Sequence, residues 1–538
     1  MWEWKNWTLE RKVGQLFMVG FDGLTPTAGI LDLIREEALG GVIYFRRNVG
    51  DPQQLAELSR ALQAANAEAE AGQPPLFIAI DQEGGMVARI DRGVTLIPGA
   101  MALGAAGSAE LAYETAKISG RELRLLGINV NFAPSLDVNN NPLNPVIGVR
   151  SYGEDPALVG ELGTAAVRGY QEAGVAATIK HFPGHGDTEF DSHYGLPLIA
   201  HDEERLDRVE LAPFRRAIAE GTDAVMTAHV IFPAFEPGEL PATLSPSVVT
   251  ELLRGKLGYG GVIFTDCLEM HAISRRFGVA EGAVLAVEAG VDVVLVSHTL
   301  EEQRVAIRAV AEAVRQGRIS ASRIDESVER ILALKEKRNM ERPAAEPAAL
   351  AGQLGRAADW RTVREASERS ITLVRDKAGR LPLAAEQPTL VVWAEPREAT
   401  QVVEIIEQED TLGAALRPYL AVVREIRINL DPVEAVVDEL LKTAAGYGQI
   451  VVATHNPVSR LPEGQVRLVR ELAARPDLRL VVASTRNPYD LNEFSGIPTY
   501  LAAYENRPQA MASLARVLTG EIPARGKLPV TIAATAAE

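Results

Sequence analysis

Along residues 14–298, short uninterrupted apolar runs alternate with longer stretches whose apolar positions fall three and four residues apart. The first pattern marks a strand buried on both faces, the second an amphipathic helix. Strands are predicted over 14–21, 40–45, 75–80, 128–138, 174–179, 224–232, 261–266 and 291–298. Helices are predicted between them over 27–37, 51–70, 109–126, 157–173, 206–220, 245–257 and 279–289, with closing helices over 299–316 and 324–337. Eight strands alternating with helices over this length predict a (β/α)8 barrel of the TIM type, class α/β. Polar residues recur where these strands end: Asp81, Asp137, Lys180 with His181, His229, Asp266 and His298. In such a barrel the strand ends converge on one face, so the chemistry is expected there.

Residues 339–360, rich in alanine and proline, read as a linker between a barrel domain over 1–338 and a second domain over 361–538. Beyond the linker the pattern restarts, with strands predicted over 370–375, 389–393, 420–428, 449–454, 478–484 and 499–504. Several are continuous apolar runs, which predict a parallel sheet covered on both faces. This part of the chain has one histidine, His455, no dense cluster of catalytic residue types, and neither a G-x-G-x-x-G fingerprint nor a phosphate loop.

A length of 538 residues agrees with two or more cores. The net charge of −17 argues against nucleic acid or an anionic membrane as partner. No apolar run is long enough to span a bilayer, and the first residues lack the apolar core of an export signal. A cytoplasmic protein is therefore expected, with export after removal of a signal as the alternative. The single cysteine, Cys267, excludes an intramolecular disulfide and a zinc site built from cysteines.

The densest chemistry lies in KHFPGHGDTEFDSHYGLPL, residues 180–198, which holds three of the eight histidines, a lysine and three carboxylates around Pro183, Gly184 and Gly186. It leaves the fifth strand and runs into a polar loop, the usual place for barrel chemistry. Phe182, Phe190 and Tyr194 are interleaved with the ionisable groups, unlike a plain solvated loop. His181 and His185 have the spacing of a helical ligand pair, but Pro183 and Gly184 between them argue against a helix, and no metal is expected. Asp191 and His193 stand two apart; a carboxylate beside an imidazole fixes its tautomer and suits it to general acid work. Asp266 ends the seventh strand, where an aspartate serves as general base, metal ligand, nucleophile or cap of the following helix. A nucleophilic carboxylate facing a proton donor is the logic of retaining glycoside hydrolysis, where the usual donor is a second carboxylic acid.

Four motifs then carry a resemblance: DQEGG at 81–85, VRSYGEDP at 149–156, KHFPGHGDTEFDSHYGLP at 180–197 and FTDCLEM at 264–270. Together they resemble the family 3 glycoside hydrolases, and within them the β-N-acetylhexosaminidase branch that acts on cell-wall sugars. The barrel carries the likeness from about Met18 to Leu334; ERSITLVRDKAGRLPL at 368–383 and LTGEIPARGKLPVTI at 518–532 are similar to the family's C-terminal α/β sandwich. The resemblance implies that Asp266 is the nucleophile of a covalent glycosyl-enzyme. It implies that Asp191 and His193 form the acid/base dyad this branch uses in place of a carboxylic acid. It puts Asp81, Arg89, Arg150, Lys180 and His181 on positions that bind the sugar in the −1 subsite. Met86 stands where the branch often has arginine, and Cys267, expected to be buried packing, follows the nucleophile where a small or apolar residue is common.

The function these residues imply is that of a retaining exo-β-N-acetylglucosaminidase, EC 3.2.1.52, acting on peptidoglycan-derived, muropeptide-like glycans. It needs a carbohydrate substrate and no cofactor. Three alternatives stand beside it: a β-N-acetylglucosaminide phosphorylase, a β-glucosidase or β-xylosidase of the same family, and an inactive sugar-binding protein.

Overall fold

The computed structural model describes residues 2–69, 72–193, 195–396, 409–475 and 477–536. Residue 70, at the end of the helix expected over 51–70, and Tyr194 lie outside the described residues. Eight parallel strands close into a barrel: β1 Phe17–Val19, β2 Gly41–Tyr44, β3 Phe77–Ile80, β6 Val130–Asn131, β7 Ala176–Phe182, β8 Ala224–Thr227, β9 Val262–Cys267 and β10 Val293–Val296, with β1 pairing both β2 and β10. A two-stranded hairpin, β4 Gln82–Gly84 and β5 Val87–Ala88, is inserted directly after β3. The barrel strands are buried along their length up to β9, where Asp266 and Cys267 become partly accessible. That pattern is why they read as continuous apolar runs.

Two strand predictions change in detail. The run 14–21 is split: Gly14 and Gln15 end the helix Leu9–Gln15, and only Phe17–Val19 join the barrel. The run 128–138 pairs only over Val130–Asn131, because Pro134 has no N–H to give a ladder; the chain beyond makes a single bridge, Ser135 to Lys180. This early departure leaves Asp137 free to turn its carboxylate under the next strand.

The second domain is a six-stranded sheet in the order β11-β16-β15-β14-β12-β13, built from Thr372–Asp376, Thr389–Glu395, Val423–Asn429, Gln449–Thr454, Arg479–Ser484 and Thr499–Ala502 as β11 to β16. The pairs from β13 across to β16 are parallel, while β11 at the edge runs antiparallel to β16, which the apolar pattern did not reveal. Separate apolar clusters lie on the two faces of the sheet. The helix Ala357–Ser370 begins inside the stretch read as linker; its Val363 and Ala366 are buried.

The two domains share one buried apolar cluster, in which Met86, Met101 and Val149 of the barrel pack with Tyr489, Leu491 and Val530. Met86 therefore serves the domain interface, which accounts for an apolar residue there. Glu505 Oε2 accepts from the Gly99 N–H at 2.8 Å, and Arg507 Nε donates to the Gly85 carbonyl at 2.6 Å. Burial pushes the Glu505 carboxyl up from 4.5 to about 7, against the Gly99 N–H and the Arg507 cation, which pull it down. The folded chain thus keeps a proton that the unfolded chain releases. The associated stability is fully present below the unfolded value and is lost as the pH rises through the folded one, at most on the order of 3 kcal/mol. Glu505→Gln keeps the acceptor without the charge. It is expected to raise Tm clearly near pH 8 and little near pH 5, read by thermal melts at both; equal shifts would count against this assignment.

Candidate active site

At the C-terminal end of the barrel lies a cavity of ≈ 370 Å³. Asp81, Arg89, Arg150, Lys180, His181, His193 and Asp266 all line it, so seven of the eight residues singled out in the sequence meet there. The eighth, Asp191, stands behind His193: its Oδ1 accepts from His193 Nδ1 at 2.7 Å and from the His193 backbone N–H at 2.8 Å.

Lys180 lies within β7 and is fully buried, with its Nζ 2.7 Å from both Asp81 Oδ1 and Glu83 Oε1. Burial alone would lower its affinity for the proton; the two carboxylates outweigh this and raise it above the ordinary lysine value. Arg150 grips Glu83 with both arms of its fork, at 3.0 Å from Nε and 2.7 Å from Nη2. Burial would raise the Glu83 carboxyl, but Arg150 and Lys180 hold it well below the usual carboxylate range. Arg89 Nη2 reaches Asp81 Oδ2 more loosely, at 3.9 Å. One wall is therefore a fixed lattice of alternating charges whose outer members, Asp81 and Arg89, face the cavity.

Glu83 was not among the sequence candidates. The signal was in DQEGG, where two acids stand two apart before paired glycines. The glycines make the hairpin possible, since Gly84 has φ 99° and Gly85 φ 52°.

Asp137 is the second such residue. It was noticed as a strand-end acid, but its work lies in four hydrogen bonds: from Ser135 Oγ at 2.9 Å, His181 Nδ1 at 2.7 Å, the His181 N–H at 3.2 Å and the His185 N–H at 2.6 Å. Burial opposes its ionisation, yet His181, His185 and these bonds hold it far below the usual range. An ionised carboxylate only accepts, so His181 carries its proton on Nδ1 and turns Nε2 away from Asp137. His185 is held under the loop by Thr188 Oγ1 at 2.9 Å and Ser192 Oγ at 3.1 Å, and burial drives its pKa down to about 4. A neutral, fixed imidazole thus anchors the turn that carries Asp191 and His193.

The same logic applies to His193. Burial raises the Asp191 carboxyl, but its bonds to His193 outweigh this and leave it below the ordinary aspartate value. The proton between them therefore sits on Nδ1, and Nε2 is left to exchange a proton with whatever occupies the cavity. Asp266 is the penultimate residue of β9, and its Oδ1 accepts the Cys267 N–H at 2.7 Å. Burial would raise its carboxyl; the imidazoles of His229, His181 and His193 and the Cys267 N–H lower it below the usual value. It is an anion facing the cavity, ringed by imidazoles. His229 itself is tied to Thr243 Oγ1 and the Cys267 carbonyl and supports the strand end.

Cys267 lines the cavity and the residue as a whole is partly accessible, but its thiol is buried, in line with the packing role expected of it. Phe45, Arg47, Met270 and His298 complete the cavity mouth. They were missed, except for His298 as a strand-end residue, because nothing in their spacing sets them apart.

Among the described residues one group has the donor types for a metal, Cys267, Glu269 and His298, with ligand atoms within 4.8 Å of one another. Its donors are engaged otherwise. Arg47 Nη1 donates to His298 Nδ1 at 3.2 Å, Glu269 accepts the N–H groups of His298 and Thr299 at 2.6 and 2.9 Å, and burial pushes the Cys267 thiol up to about 12. With an arginine against its imidazole and its thiol protonated, the group reads as the N-terminal support of the helix Leu300–Arg315.

Comparison with known proteins agrees with this geometry. The family model "Glycosyl hydrolase family 3 N terminal domain" matches residues 8–334, and "Glycosyl hydrolase family 3 C-terminal domain" matches 371–538. Beta-hexosaminidase A of Pseudoalteromonas piscicida is 34% identical over 93% of this chain and 90% of its own length. A family 3 β-N-acetylglucosaminidase from Paenibacillus sp. FPU-7 has a solved structure that superposes with a TM-score of 0.93 at 53% identity, covering 98% of this chain and 99% of that one. A fungal multi-domain family 3 β-N-acetylglucosaminidase follows with a TM-score of 0.87 and 37% identity, over 98% of this chain and 61% of that chain. On the match across both domains, the chain belongs to the family 3 glycoside hydrolases.

Proposed function

We propose that the protein is a retaining exo-β-N-acetylglucosaminidase that releases terminal β-linked N-acetylglucosamine from peptidoglycan-derived glycans. The observation that carries this reading is the pairing of an anionic Asp266 with the Asp191–His193 dyad at one cavity. The 53% identity to a β-N-acetylglucosaminidase supports the choice of sugar. A cavity of ≈ 370 Å³ at a barrel end suits one terminal sugar rather than the middle of a chain.

In this reading Asp81 and the unprotonated His181 Nε2 accept from sugar hydroxyls, while Lys180, Arg89 and Arg150 supply donors. An Asp266 oxygen attacks the anomeric carbon as the glycosidic bond breaks. His193 Nε2 gives its proton to the departing oxygen, and the imidazolium that supplies it is stabilised by Asp191. His193 Nε2, now unprotonated, takes a proton from water, which attacks the same carbon and frees Asp266. Two displacements return the original β configuration.

A second reading, phosphorolysis, is favoured by one feature. The unprotonated dyad acid/base is an imidazole with no negative charge of its own, so an anionic nucleophile meets less repulsion than at a carboxylate. The experiment compares turnover of aryl β-N-acetylglucosaminide and aryl β-glucoside, each with and without phosphate. The proposal expects preference for the N-acetyl sugar and free N-acetylglucosamine as product in either buffer. Faster turnover of the glucoside, or sugar 1-phosphate as the main product, would overturn it.

A further inference from the structure

Every described residue that lines the cavity belongs to the barrel. The second domain nonetheless reaches the two barrel segments that carry the Arg150–Glu83 pair, and does so from behind. Asn487 stands at the start of the short helix Pro488–Phe494. Its side chain is buried and bridges the domains: Oδ1 accepts the Val149 N–H at 2.9 Å, and Nδ2 donates to the Val458 carbonyl at 2.8 Å. Val149 is the residue before Arg150 in the turn Gly148–Arg150. That turn is tight. Gly148 has φ 44°, and a Cβ there would lie 2.4 Å from Asn487 Oδ1. On the other side, Arg507 Nε donates to the carbonyl of Gly85, at the tip of the hairpin whose first strand holds Glu83. The pinned Val149 and Met86, which follows the pinned Gly85, pack in the second domain's apolar cluster.

We propose that Asn487 and Arg507 are positioning residues for catalysis: the second domain sets the Arg150–Glu83 pair, and through Glu83 the Lys180–Asp81 pair, without touching the sugar. The physical argument is one of rigidity. Lys180 and Arg150 share Glu83 Oε1 at 2.7 Å each, so a shift of the Arg150 turn or of the hairpin must move Lys180 or break a bond. A misplacement of about 1 Å in a positioning group costs on the order of 100-fold in rate. The inference rests on the reading of these four residues as the sugar-holding wall.

The test is a double-mutant cycle on the full chain with Asn487→Ala, Arg150→Lys and both, reading kcat/KM on the aryl glycoside the unmodified protein turns over best, together with Tm. Asn487→Ala is expected to lower kcat/KM by about 10- to 100-fold. In the Arg150→Lys background it should cost only a few-fold more, because the pair it positions is already lost. Hydrogen exchange at the Val149 amide should accelerate in Asn487→Ala. Arg507→Ala, run through the same cycle, covers the case in which Asn487→Ala does not fold. Full additivity in the cycle, or unchanged kcat/KM despite faster exchange at Val149, would overturn the proposal and leave a purely structural interface. Failure of the functional reading shows separately, as absence of N-acetylglucosaminide turnover by the unmodified protein.

Discussion

Asp266→Asn is expected to lower kcat by about 10⁴-fold or more, on the order of 5 kcal/mol of lost transition-state stabilisation, while the chain remains folded. The amide is nearly isosteric and its oxygen still accepts the Cys267 N–H, so the end of β9 keeps its shape. It cannot form the bond to the anomeric carbon. It also removes the negative charge that the imidazoles of His229, His181 and His193 surround. Stopped assays on an activated aryl glycoside, with a thermal melt beside them, check both halves. A variant that folds and keeps more than about a tenth of the parent's kcat would show that Asp266 is not the nucleophile.

The second large effect concerns His193 and the leaving group. A departing alkoxide needs its proton; an acidic phenol hardly does. His193→Ala should therefore slow the cleavage of a natural disaccharide by about 10²- to 10⁴-fold. On an activated aryl substrate the loss in the first displacement should be much smaller, and the second displacement should become limiting, since water has lost its base. Asp191→Ala should show a milder form, because the imidazole remains while its Nδ1 partner is gone. The measurement is a Brønsted series over phenols of graded acidity. A slope for His193→Ala equal to that of the unmodified enzyme would move the acid role to another group.

The barrel was legible because its strands are buried on both faces and so read as apolar runs with charge at one end. What was not legible shares a cause. Pro134 ended a strand that the apolar pattern continued, and the antiparallel β11 at the sheet edge carries no mark of its direction in its own residues. The candidate site followed the same division. Residues whose types carry chemistry at strand ends, such as Lys180, His181 and Asp266, could be picked from position and type. Glu83 and Asp137 act by holding other residues, and which acid holds which base is a property of three-dimensional proximity. Arg150 and Glu83 are 67 positions apart, and Asp137 and His181 are 44 apart. The same holds for Asn487, which sits 338 positions from the amide it holds.

The most direct test of the account is to trap the intermediate. His193→Ala, incubated with an activated aryl β-N-acetylglucosaminide, should accumulate a glycosyl-enzyme because its breakdown has lost the base. Intact-protein mass spectrometry followed by peptide mapping reads the result. The account predicts one added N-acetylglucosaminyl group, located on Asp266 and absent when Asp266→Asn is combined with His193→Ala. An adduct on a different carboxylate would contradict it. So would turnover of the activated substrate with inversion and no adduct at any time.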